Sequence, residues 1–250
     1  MTARLPLSAV LITLNCVNSL RATLESLSFC DEIVAVDSGS TDGTQELLQE
    51  FGAKLVVEPW RGFGPQKQFA IEQAAHDWVL CIDSDEIVSG ELRASIDTVL
   101  IQPSFQFYEF PRCNRFLGRY LKHGEGYPDL SLRLFDRRQA RWSDDLVHEK
   151  VITLGIVGRL QGDLLHHSED NIETYLAKQN RYTTLAAKAL IAEGVQAPFG
   201  KLLLSPFFRF IKFYCLRAGF LDGLPGLIHI LIGCFNSFAK YAKMIEFSRR

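Results

Sequence analysis

The sequence lacks the cysteine patterns that hold metal ions or disulfide frameworks. Its 250 residues include six cysteines, none of which forms a CxxC pair or another metal-ligand spacing, and most lie inside apolar runs. Cysteines of this kind are typical of small core residues in a reducing compartment. The pattern therefore indicates neither a cysteine metal site nor a disulfide scaffold.

The sequence also lacks a net charge large enough to predict binding to nucleic acid. The formal net charge is -2, with 22% charged and 47% hydrophobic residues, which is the composition of a globular protein. It contains no internal repeat and no low-complexity linker. A chain of this length forms one large domain or two small ones.

No apolar run is long enough to predict a membrane span. The run at residues 224–235 has about twelve residues, whereas roughly 20 are needed, and residues 5–14 fit a first strand better than a signal segment. Residues 199–250 contain eight Lys or Arg and only two Asp or Glu, and they are rich in Phe and Leu. Four polar positions fall on one predicted helical stripe: Lys201, Ser205, Arg209 and Lys212. This pattern predicts a helix lying on a membrane surface; the alternative is a helix packed on the catalytic domain or on another subunit.

The most informative stretch is residues 78–86, WVLCIDSDE. Its short apolar run predicts a buried strand of a mostly parallel sheet, with Asp83 and Asp85 at the carboxyl end. Open α/β sheets bind ligands at that edge. Two carboxylates at this spacing suit a divalent cation together with a sugar or a phosphate, and the alternative is a solvated acidic turn.

The first hundred residues alternate strands with helices. Strands are predicted at residues 7–13, 32–37, 53–58 and 78–82, which implies right-handed crossovers and a parallel sheet. The intervening helices are predicted to start at Asn18 or Ser19, at Asp42 with Gln45 as its capping partner, at Pro65, and at Ser89.

Beyond residue 102 the pattern changes. Residues 105–111, 131–135 and 147–153 predict shorter strands of an antiparallel addition with long loops. A capping box at residues 170–173 predicts a helix that reaches Glu193 and is closed by Gly194.

Three predicted strand ends converge on one edge of the sheet: residues 13–15, 37–40 and 83–85. The sequence here resembles the inverting family-2 glycosyltransferases with the GT-A fold. The resemblance rests on residues 8–15 (SAVLITLN), residues 32–44 (EIVAVDSGSTDGT) and the aspartate pair, and it covers roughly residues 7–166. More narrowly, residues 60–67, 132–135, 147–149 and the hydrophobic tail look like enzymes that add glucose or heptose to the lipopolysaccharide inner core.

The resemblance implies an α/β fold in which helices flank a mostly parallel, Rossmann-like sheet. It implies a GT-A catalytic domain at residues 1–168, with a nucleotide-sugar-binding half at 1–102 and an acceptor or catalytic half at 103–168. Residues 169–250 would then form a helical extension that associates with a membrane.

The resemblance also implies a site for a UDP-sugar donor. Asp37 would contact the uracil or ribose, Asp83 the ribose, and Lys67 the diphosphate. The implied donor-binding residues are Thr13, Asn15, Asp37, Gly39, Ser40, Lys67, Asp83, Asp85 and Arg133. From the residues alone, an Asx-type turn remains an alternative for Asp37, and Arg133, inside an apolar strand, is expected to meet a phosphate or carboxylate.

A metal ion, Mg²⁺ or Mn²⁺, is implied at Asp85, where it would bridge both phosphates and stabilise the departing UDP. His166 is the implied second metal ligand. A hydrogen-bonded structural histidine is the alternative, and His167 is its neighbour in sequence.

Inversion requires a base on the face opposite the leaving group. Glu149 is our first choice because it lies in the VHEK segment at residues 147–150, where the resembling enzymes carry a His-Glu pair. Asp144 and Asp145 are the other candidates, and His148 would orient the base or bind the acceptor.

The predicted function is inverting transfer of a hexose, glucose, from a UDP-sugar to a lipid-linked saccharide such as the lipopolysaccharide inner core. The predicted location is the cytoplasmic face of the inner membrane, with residues 199–250 on the membrane and no nucleic-acid partner. Two alternatives are a haloacid-dehalogenase-type phosphatase, suggested by the DSD sequence after a strand, and a membrane-peripheral sugar-nucleotide-binding protein without catalysis.

Overall fold

The computed structural model describes residues 4–145, 149–167, 171–195 and 199–248. The chain divides into two compact units: residues 1–112 with 129–167, and residues 113–128 with 168–250. This differs from the sequence-based division at residue 168 in one segment. Residues 113–128 group with the second unit, where Arg119 and Glu125 form ion pairs and His123 forms hydrogen bonds with residues of the C-terminal helical region.

The first unit is built on four parallel strands connected by helices. The strands are β1 (Leu7–Thr13), β2 (Glu32–Asp37), β3 (Lys54–Val57) and β4 (Trp78–Cys81). The helices are α1 (Val17–Ser26), α2 (Thr44–Glu50), α3 (Phe63–Glu72) and α4 (Gly90–Ile101). The spatial order is β3-β2-β1-β4, with every pair parallel. The predicted α/β class with a parallel Rossmann-like half is confirmed.

The register of these strands places their carboxyl ends at one edge. Thr13 pairs with Asp37, and Asp37 pairs with Val57. Cys81, the last residue of β4, pairs with Val10, so Asp83 and Asp85 follow at the same edge. Both faces of the sheet are covered, which is why β4 consists entirely of buried residues.

Antiparallel strands extend this sheet on the far side of β4. The described residues form eight further strands: β5 (Glu86–Val88), β6 (Phe107–Phe116), β7 (Arg119–Tyr120), β8 (Asp129–Asp136), β9 (Ala140–Trp142), β10 (Val151–Thr153), β11 (Val157–Arg159) and β12 (Leu164–His166). The sheet continues from β4 through β8, β6 and β12 to β5, with β11 beside β6. This confirms the predicted antiparallel addition, but β5 and β12 were not expected. Their pairing sets His166 opposite Glu86, next to the aspartate pair.

The second unit combines the hairpin of β7 and the end of β6 with a group of helices. The helices are α5 (Ile172–Ala192), α6 (Phe199–Phe210) and α7 (Gly223–Phe247). A π-helical turn at Ile211–Leu216 and a 3-10 turn at Gly219–Asp222 connect α6 to α7. The predicted apolar run at residues 224–235 is therefore only the first half of one 25-residue helix.

Several predicted helix starts are wrong by a few residues. Helix α1 begins at Val17, after Cys16, and α2 begins after Gly43, so neither Ser19 nor Asp42 is the N-cap. Asp42 instead accepts hydrogen bonds from the backbone of Thr44 and Val17, which ties the loop to α1. Cap patterns depend on one or two local hydrogen bonds, and long-range contacts redirect those bonds here.

Two other helices are capped by a local hydrogen bond. The predicted cap of α4 is confirmed, since Ser89 Oγ accepts from the Leu92 amide. The N-cap of α5 is Asn171, whose Oδ1 accepts from the Thr174 amide at 2.8 Å. The first residue of the predicted capping box, Asp170, lies outside the described residues.

Candidate active site

A tight turn presents the two aspartates after β4. The Glu86 amide donates to the Asp83 carbonyl at 3.0 Å, and Oε2 of Glu86 accepts from the Asp83 amide at 2.9 Å. Glu86 is completely buried as the first residue of β5. These two hydrogen bonds hold the turn together and fix the backbone between Asp83 and Glu86.

Asp83 lies between two cations. Its Oδ1 is 2.9 Å from Nζ of Lys67, and its Oδ2 accepts a 2.9 Å hydrogen bond from Nη2 of Arg133. Burial alone would raise the pKa of Asp83, but the charges of Arg133 and Lys67 outweigh it and hold the pKa well below its usual range. Asp83 is therefore ionised at neutral pH and forms an ion pair with each of the two cations.

Lys67 also contacts the candidate base. Its Nζ donates to Oε1 of Glu149 at 2.8 Å, so one nearly buried ammonium group joins Asp83 and Glu149. Glu149 is mostly buried at this contact, whereas the Asp144 side chain is 82% exposed and paired with Arg141. Of the three candidate bases, the structure brings only Glu149 to the strand-end cluster; His148 lies outside the described residues.

Asp145 contributes through its backbone rather than its carboxylate. Its carbonyl accepts a hydrogen bond from the Gly64 amide at 3.1 Å. A Cβ at Gly64 would lie 2.7 Å from that carbonyl and 2.0 Å from the Ser143 carbonyl, so only glycine permits this approach. The contact holds the segment that precedes Glu149 against the start of α3, the helix that carries Lys67.

Asp85 is paired with the predicted histidine. Nε2 of His166 lies 3.0 Å from Oδ2 of Asp85, and the His167 amide donates to the Asp85 carbonyl at 2.9 Å. The structure thus separates the two neighbouring histidines, because His166 meets the carboxylate and His167 supports the backbone.

The donor set at Asp85 can be tested against a hard cation. The carboxylate and the imidazole, hydrogen-bonded at 3.0 Å, provide two neighbouring atoms that can ligate a metal once the shared proton leaves, and the described residues contain no group of three or more His, Cys, Asp or Glu with metal-site geometry. Mg²⁺ commonly takes one or two carboxylates and completes its shell with water and substrate phosphates. Asp85 and His166 therefore fit a metal that arrives with a diphosphate, and they do not form an all-protein metal cage.

Asp37 is fully engaged by its own loop. Its carboxylate accepts from the amides of Gly39 and Ser40, from the hydroxyls of Thr13 and Ser40, and from Nε2 of Gln45, at 2.5 to 3.0 Å. Burial opposes ionisation, but these hydrogen bonds, led by those of Ser40, keep the pKa of Asp37 below its ordinary value. Gly39 has a φ of +97°, which favours glycine at this turn.

Asn15 completes that loop from β1. Its Oδ1 accepts from the backbone amide of Thr41 at 2.9 Å, and its backbone amide donates to the Ser40 hydroxyl at 2.8 Å. Asn15 has a φ of +48°, a left-handed conformation that asparagine tolerates better than most residues. The predicted nucleoside-side residues therefore form one hydrogen-bonded loop, and the Asx-turn interpretation of Asp37 describes its observed contacts.

Three site residues were missed from the sequence. Oε1 of Glu86 accepts from Nε of Arg112 at 2.5 Å and lies 3.6 Å from Nη2 of Arg133. The ring of Trp142 lies 4.9 Å from Nζ of Lys67 and 5.7 Å from the guanidinium carbon of Arg133. Glu86 directly follows the aspartate pair, but no local pattern indicates that it is buried, and nothing in the sequence assigns Arg112 or Trp142 to the site.

Two cavities flank Arg133. One, between the ends of β1 and β4, has about 10 Å³ and is lined by Lys67, Asp83 and Arg133 among others. The other has about 240 Å³ and is lined by Arg133, Trp142, Glu149 and Lys150 with residues of β8. Nη1 of Arg133 is buried without a hydrogen-bond partner among the described residues. The larger cavity approaches the roughly 300 Å³ at which small-molecule sites begin, and it opens beside Glu149.

The sequence matches the model of a known protein family. The profile described as Glycosyl transferase family 2 matches residues 8–142, more than half of the chain. The chain belongs to glycosyltransferase family 2. The matched region carries the loop of Asp37, the Asp83 turn and Arg133, and family membership favours the glycosyltransferase interpretation over the haloacid-dehalogenase one. With it the predicted GT-A fold is confirmed.

Relatives match along nearly the whole chain. The lipopolysaccharide core biosynthesis glycosyltransferase LpsC of Rhizobium meliloti strain 1021 is 35% identical over 254 residues, covering 98% of this chain and 94% of that protein. An uncharacterised glycosyltransferase of Rickettsia typhi is 28% identical, covering 97% and 87%. Among solved structures, residues 1–349 of S. aureus TarS align with a TM-score of 0.48 at 14% identity, covering 98% and 91%. That structural likeness is too low to inform on the site, whereas the LpsC match includes both units of the chain.

Proposed function

We propose that this family-2 glycosyltransferase transfers a hexose, glucose, from a UDP-sugar to a lipid-linked saccharide such as the lipopolysaccharide inner core, with inversion at the anomeric carbon. The family supports the transfer of a sugar, and the name of the 35% identical relative supports the acceptor class. The observation that carries the proposal is the contact through Lys67, which joins the strand-end aspartate to Glu149.

The donor would bind along the strand ends. Thr13, Asn15, Gly39 and Ser40 shape the loop that receives the nucleoside, and Asp37 acts by holding that loop rather than by offering a free carboxylate. Asp83 would receive the ribose. All of these residues lie at the carboxyl edge of the sheet, where open α/β folds bind ligands.

The diphosphate would be met by Lys67 and Arg133. Both cations are paired with Asp83, and the cavity that these three side chains line has only about 10 Å³. A diphosphate therefore has to draw at least one cation away from Asp83. The buried Nη1 of Arg133, which lacks a partner among the described residues, gives that side chain unused hydrogen-bonding capacity for an anion.

Asp85 and His166 would hold Mg²⁺ or Mn²⁺. When bound, the ion supplies Lewis-acid stabilisation to the departing diphosphate. The paired carboxylate and imidazole are matched to that task because they leave most of the coordination shell to the donor's own oxygens.

Glu149 would act as the base. Its carboxylate accepts the proton of the acceptor hydroxyl while that oxygen forms a bond to the anomeric carbon. On the opposite face, the bond from this carbon to UDP breaks and UDP leaves with the electron pair. The ammonium of Lys67 donates to this carboxylate at 2.8 Å and so holds it next to Asp83.

The acceptor would reach Glu149 through the cavity of about 240 Å³ beside it. An acceptor attached to a lipid requires the enzyme to work at a membrane, and the basic, aromatic residues 199–250 supply a surface for this contact. The proposed location is the cytoplasmic face of the inner membrane, where nucleotide sugars are available.

A transfer screen tests the proposal. The purified chain is incubated with Mn²⁺, a panel of nucleotide sugars and truncated core saccharides, and products are identified by mass and anomeric configuration. We expect UDP-glucose to give one inverted product. Release of phosphate from phosphomonoesters without turnover of any UDP-sugar would support the phosphatase instead, and UDP-sugar binding without turnover would support the non-catalytic alternative.

A further inference from the structure

Helix α6 exposes an apolar face within the second unit. Five large side chains on it are between 55% and 73% exposed: Phe199, Leu203, Leu204, Phe207 and Phe208. Their spacing of four and five residues places them on one side of the helix. A helix of a soluble protein turns such a face toward its core, so this exposed face needs a physical explanation.

The polar side of α6 is turned inward. Oγ of Ser205 lies 2.6 Å from Oγ of Ser237 on α7, and Nε of Arg209 donates to Oε2 of Glu125 at 3.0 Å. A Cβ at Gly233 would lie 2.4 Å from Oε2 of Glu125, so glycine makes room for this ion pair. The predicted polar stripe therefore faces inward at Ser205 and Arg209, since both find partners inside the unit.

Helix α7 also turns large apolar side chains outward. Its buried positions are three small residues, Gly226, Gly233 and Ser237, together with Ile230 and Met244, and small residues allow helices to approach closely. Large exposed apolar residues lie on its outer surface: Leu224, Leu231, Phe235 and Phe238. Polar groups inside and apolar groups outside are the arrangement that a hydrocarbon solvent favours, because lipid cannot satisfy polar groups.

Cations mark the limits of this surface. Lys201 is in the first turn of α6. Lys212 lies in the π-helical turn after it and Arg217 directly follows that turn, and both lie near the ring of Phe213. Basic residues at the border of an apolar face match the anionic headgroups of a bilayer. A second protein copy would have no comparable need for a basic border, which favours lipid as the occupant.

Helix α7 is long and apolar enough to cross a membrane by length and composition, but its contacts oppose this orientation. Nζ of Lys243 donates to Oδ1 of Asn180 and to the hydroxyls of Thr183 and Thr184 on α5, at 2.6 to 2.9 Å. Asn236 likewise donates to Gln179 at 2.9 Å. A spanning α7 would pull the polar helix α5 into the bilayer.

The length of α6 points the same way. Twelve residues form a helix about 18 Å long, and the six residues of the π-helical turn that continues it bring the total to about 27 Å at most, still short of the roughly 30 Å hydrocarbon core. An apolar face of this length fits one leaflet when the helix lies in the membrane plane.

We propose that the outer faces of α6 and α7 insert into one leaflet of an anionic bilayer, parallel to its plane, with Lys201, Lys212 and Arg217 at headgroup level. The proposed function requires only that residues 199–250 contact a membrane surface, and the choice of membrane rests on it. Here the contact is specified as insertion of the apolar face of α6 into the leaflet, beyond attraction between charged side chains and headgroups.

Vesicle flotation of the full chain tests insertion. The probes are vesicles of phosphatidylcholine with a minority of phosphatidylglycerol, at low and high salt. We expect binding that persists at high salt and that the double variant Phe207→Ser/Phe208→Ser weakens roughly tenfold or more, since each buried phenyl group contributes strongly to transfer into hydrocarbon. The matched control is Leu154→Ser/Ile156→Ser, which removes two exposed apolar side chains of the first unit and should bind as the unchanged chain does.

Depth is read from tryptophan quenching by lipids brominated near the headgroup or near the chain ends. Trp introduced at Phe208 or Leu231 should be quenched more strongly by the shallow bromines, and Trp introduced at Leu154 by neither. Stronger deep quenching at Leu231 would indicate a spanning α7 and overturn the in-plane orientation.

Other outcomes distinguish failure of the insertion proposal from failure of the proposed function. Binding that high salt abolishes and that the Phe207/Phe208 variant leaves unchanged would overturn insertion, as would a dimer in solution that ignores vesicles. Transfer to a water-soluble truncated acceptor, measured on the same variant, verifies that it is folded. An enzyme that inserts but turns over no nucleotide sugar would refute the proposed function and leave this inference standing.

Discussion

Removing Arg133 should reveal how strongly the strand-end cluster depends on paired charges. In Arg133→Met the chain keeps an apolar stem of similar length, but Asp83 loses the hydrogen bond at 2.9 Å and Glu86 loses the charge at 3.6 Å. The Arg133 side chain is 11% exposed and that of Asp83 is 27% exposed. The lost interaction is therefore largely shielded from water.

The magnitude follows from what remains. Breaking a buried ion pair by removing one partner costs about 3–5 kcal/mol. Here Asp83 retains Lys67 and Glu86 retains Arg112, so we expect the lower end, about 3 kcal/mol. For a protein of this size, each kcal/mol lowers Tm by about 2–4 °C, which gives a decrease of about 6–12 °C.

The loss should depend on pH in a defined direction. Burial would raise the pKa of Asp83, but Arg133 and Lys67 hold it below the unfolded value of about 3.9. The ionised group therefore stabilises the fold above that pH, and its contribution is lost as the pH falls through the lower folded pKa. The difference between wild type and Arg133→Met should be full above about pH 5 and should shrink on acidification.

Denaturant unfolding followed by tryptophan fluorescence provides the assay, because Trp60, Trp78 and Trp142 all lie in the first unit. Arg21→Met is the control: its partner is Glu50, the two side chains are 52% and 58% exposed, and such surface pairs contribute little to stability. Equal losses in the two variants, or a difference that grows toward acidic pH, would refute the reasoning.

Three further predictions concern the proposed chemistry. Asp85→Ala should abolish transfer and the Mn²⁺-dependent part of UDP binding measured by calorimetry, with His166→Ala weaker in the same direction; unchanged turnover would exclude a metal at this pair. Glu149→Gln should lower the transfer rate by roughly 10²–10⁴-fold while UDP still binds, whereas Asp144→Asn should keep its rate, and loss of UDP binding in Glu149→Gln would identify a structural carboxylate instead. Asp37→Ala should weaken UDP binding and speed hydrogen exchange at the amides of residues 39 and 40, since those amides lose their buried acceptor; exchange as slow as in wild type would show that the loop holds itself.

Much of the parallel half of the fold was predictable from sequence. The strand bounds at residues 7–13 and 32–37 agree with the structure, because a short apolar run between polar residues is a local signal. The order of strands and helices then places Asp37, Asp83 and Asp85 at one edge without any knowledge of long-range contacts.

The partners of those residues were less predictable. Arg133 comes from a strand fifty residues after Asp83 in sequence, and Lys67 meets Glu149 across eighty-two residues. Such contacts depend on which strands pair and in what register, and antiparallel additions with long loops leave the register open. Nothing local in the sequence indicates that Glu86 is buried; its burial follows from its place in β5, which pairs with β12.

The C-terminal helices show the same division. Composition shows that residues 199–250 are basic and apolar, and helical periodicity predicts that the polar residues share a stripe. The direction in which that stripe faces follows from long-range contacts, because Glu125 and Ser237, distant in sequence, provide partners for Arg209 and Ser205 and leave the phenylalanine side outward. Local sequence fixes which residues lie together on a helix, whereas the orientation of the helix depends on partners that only the folded chain brings near.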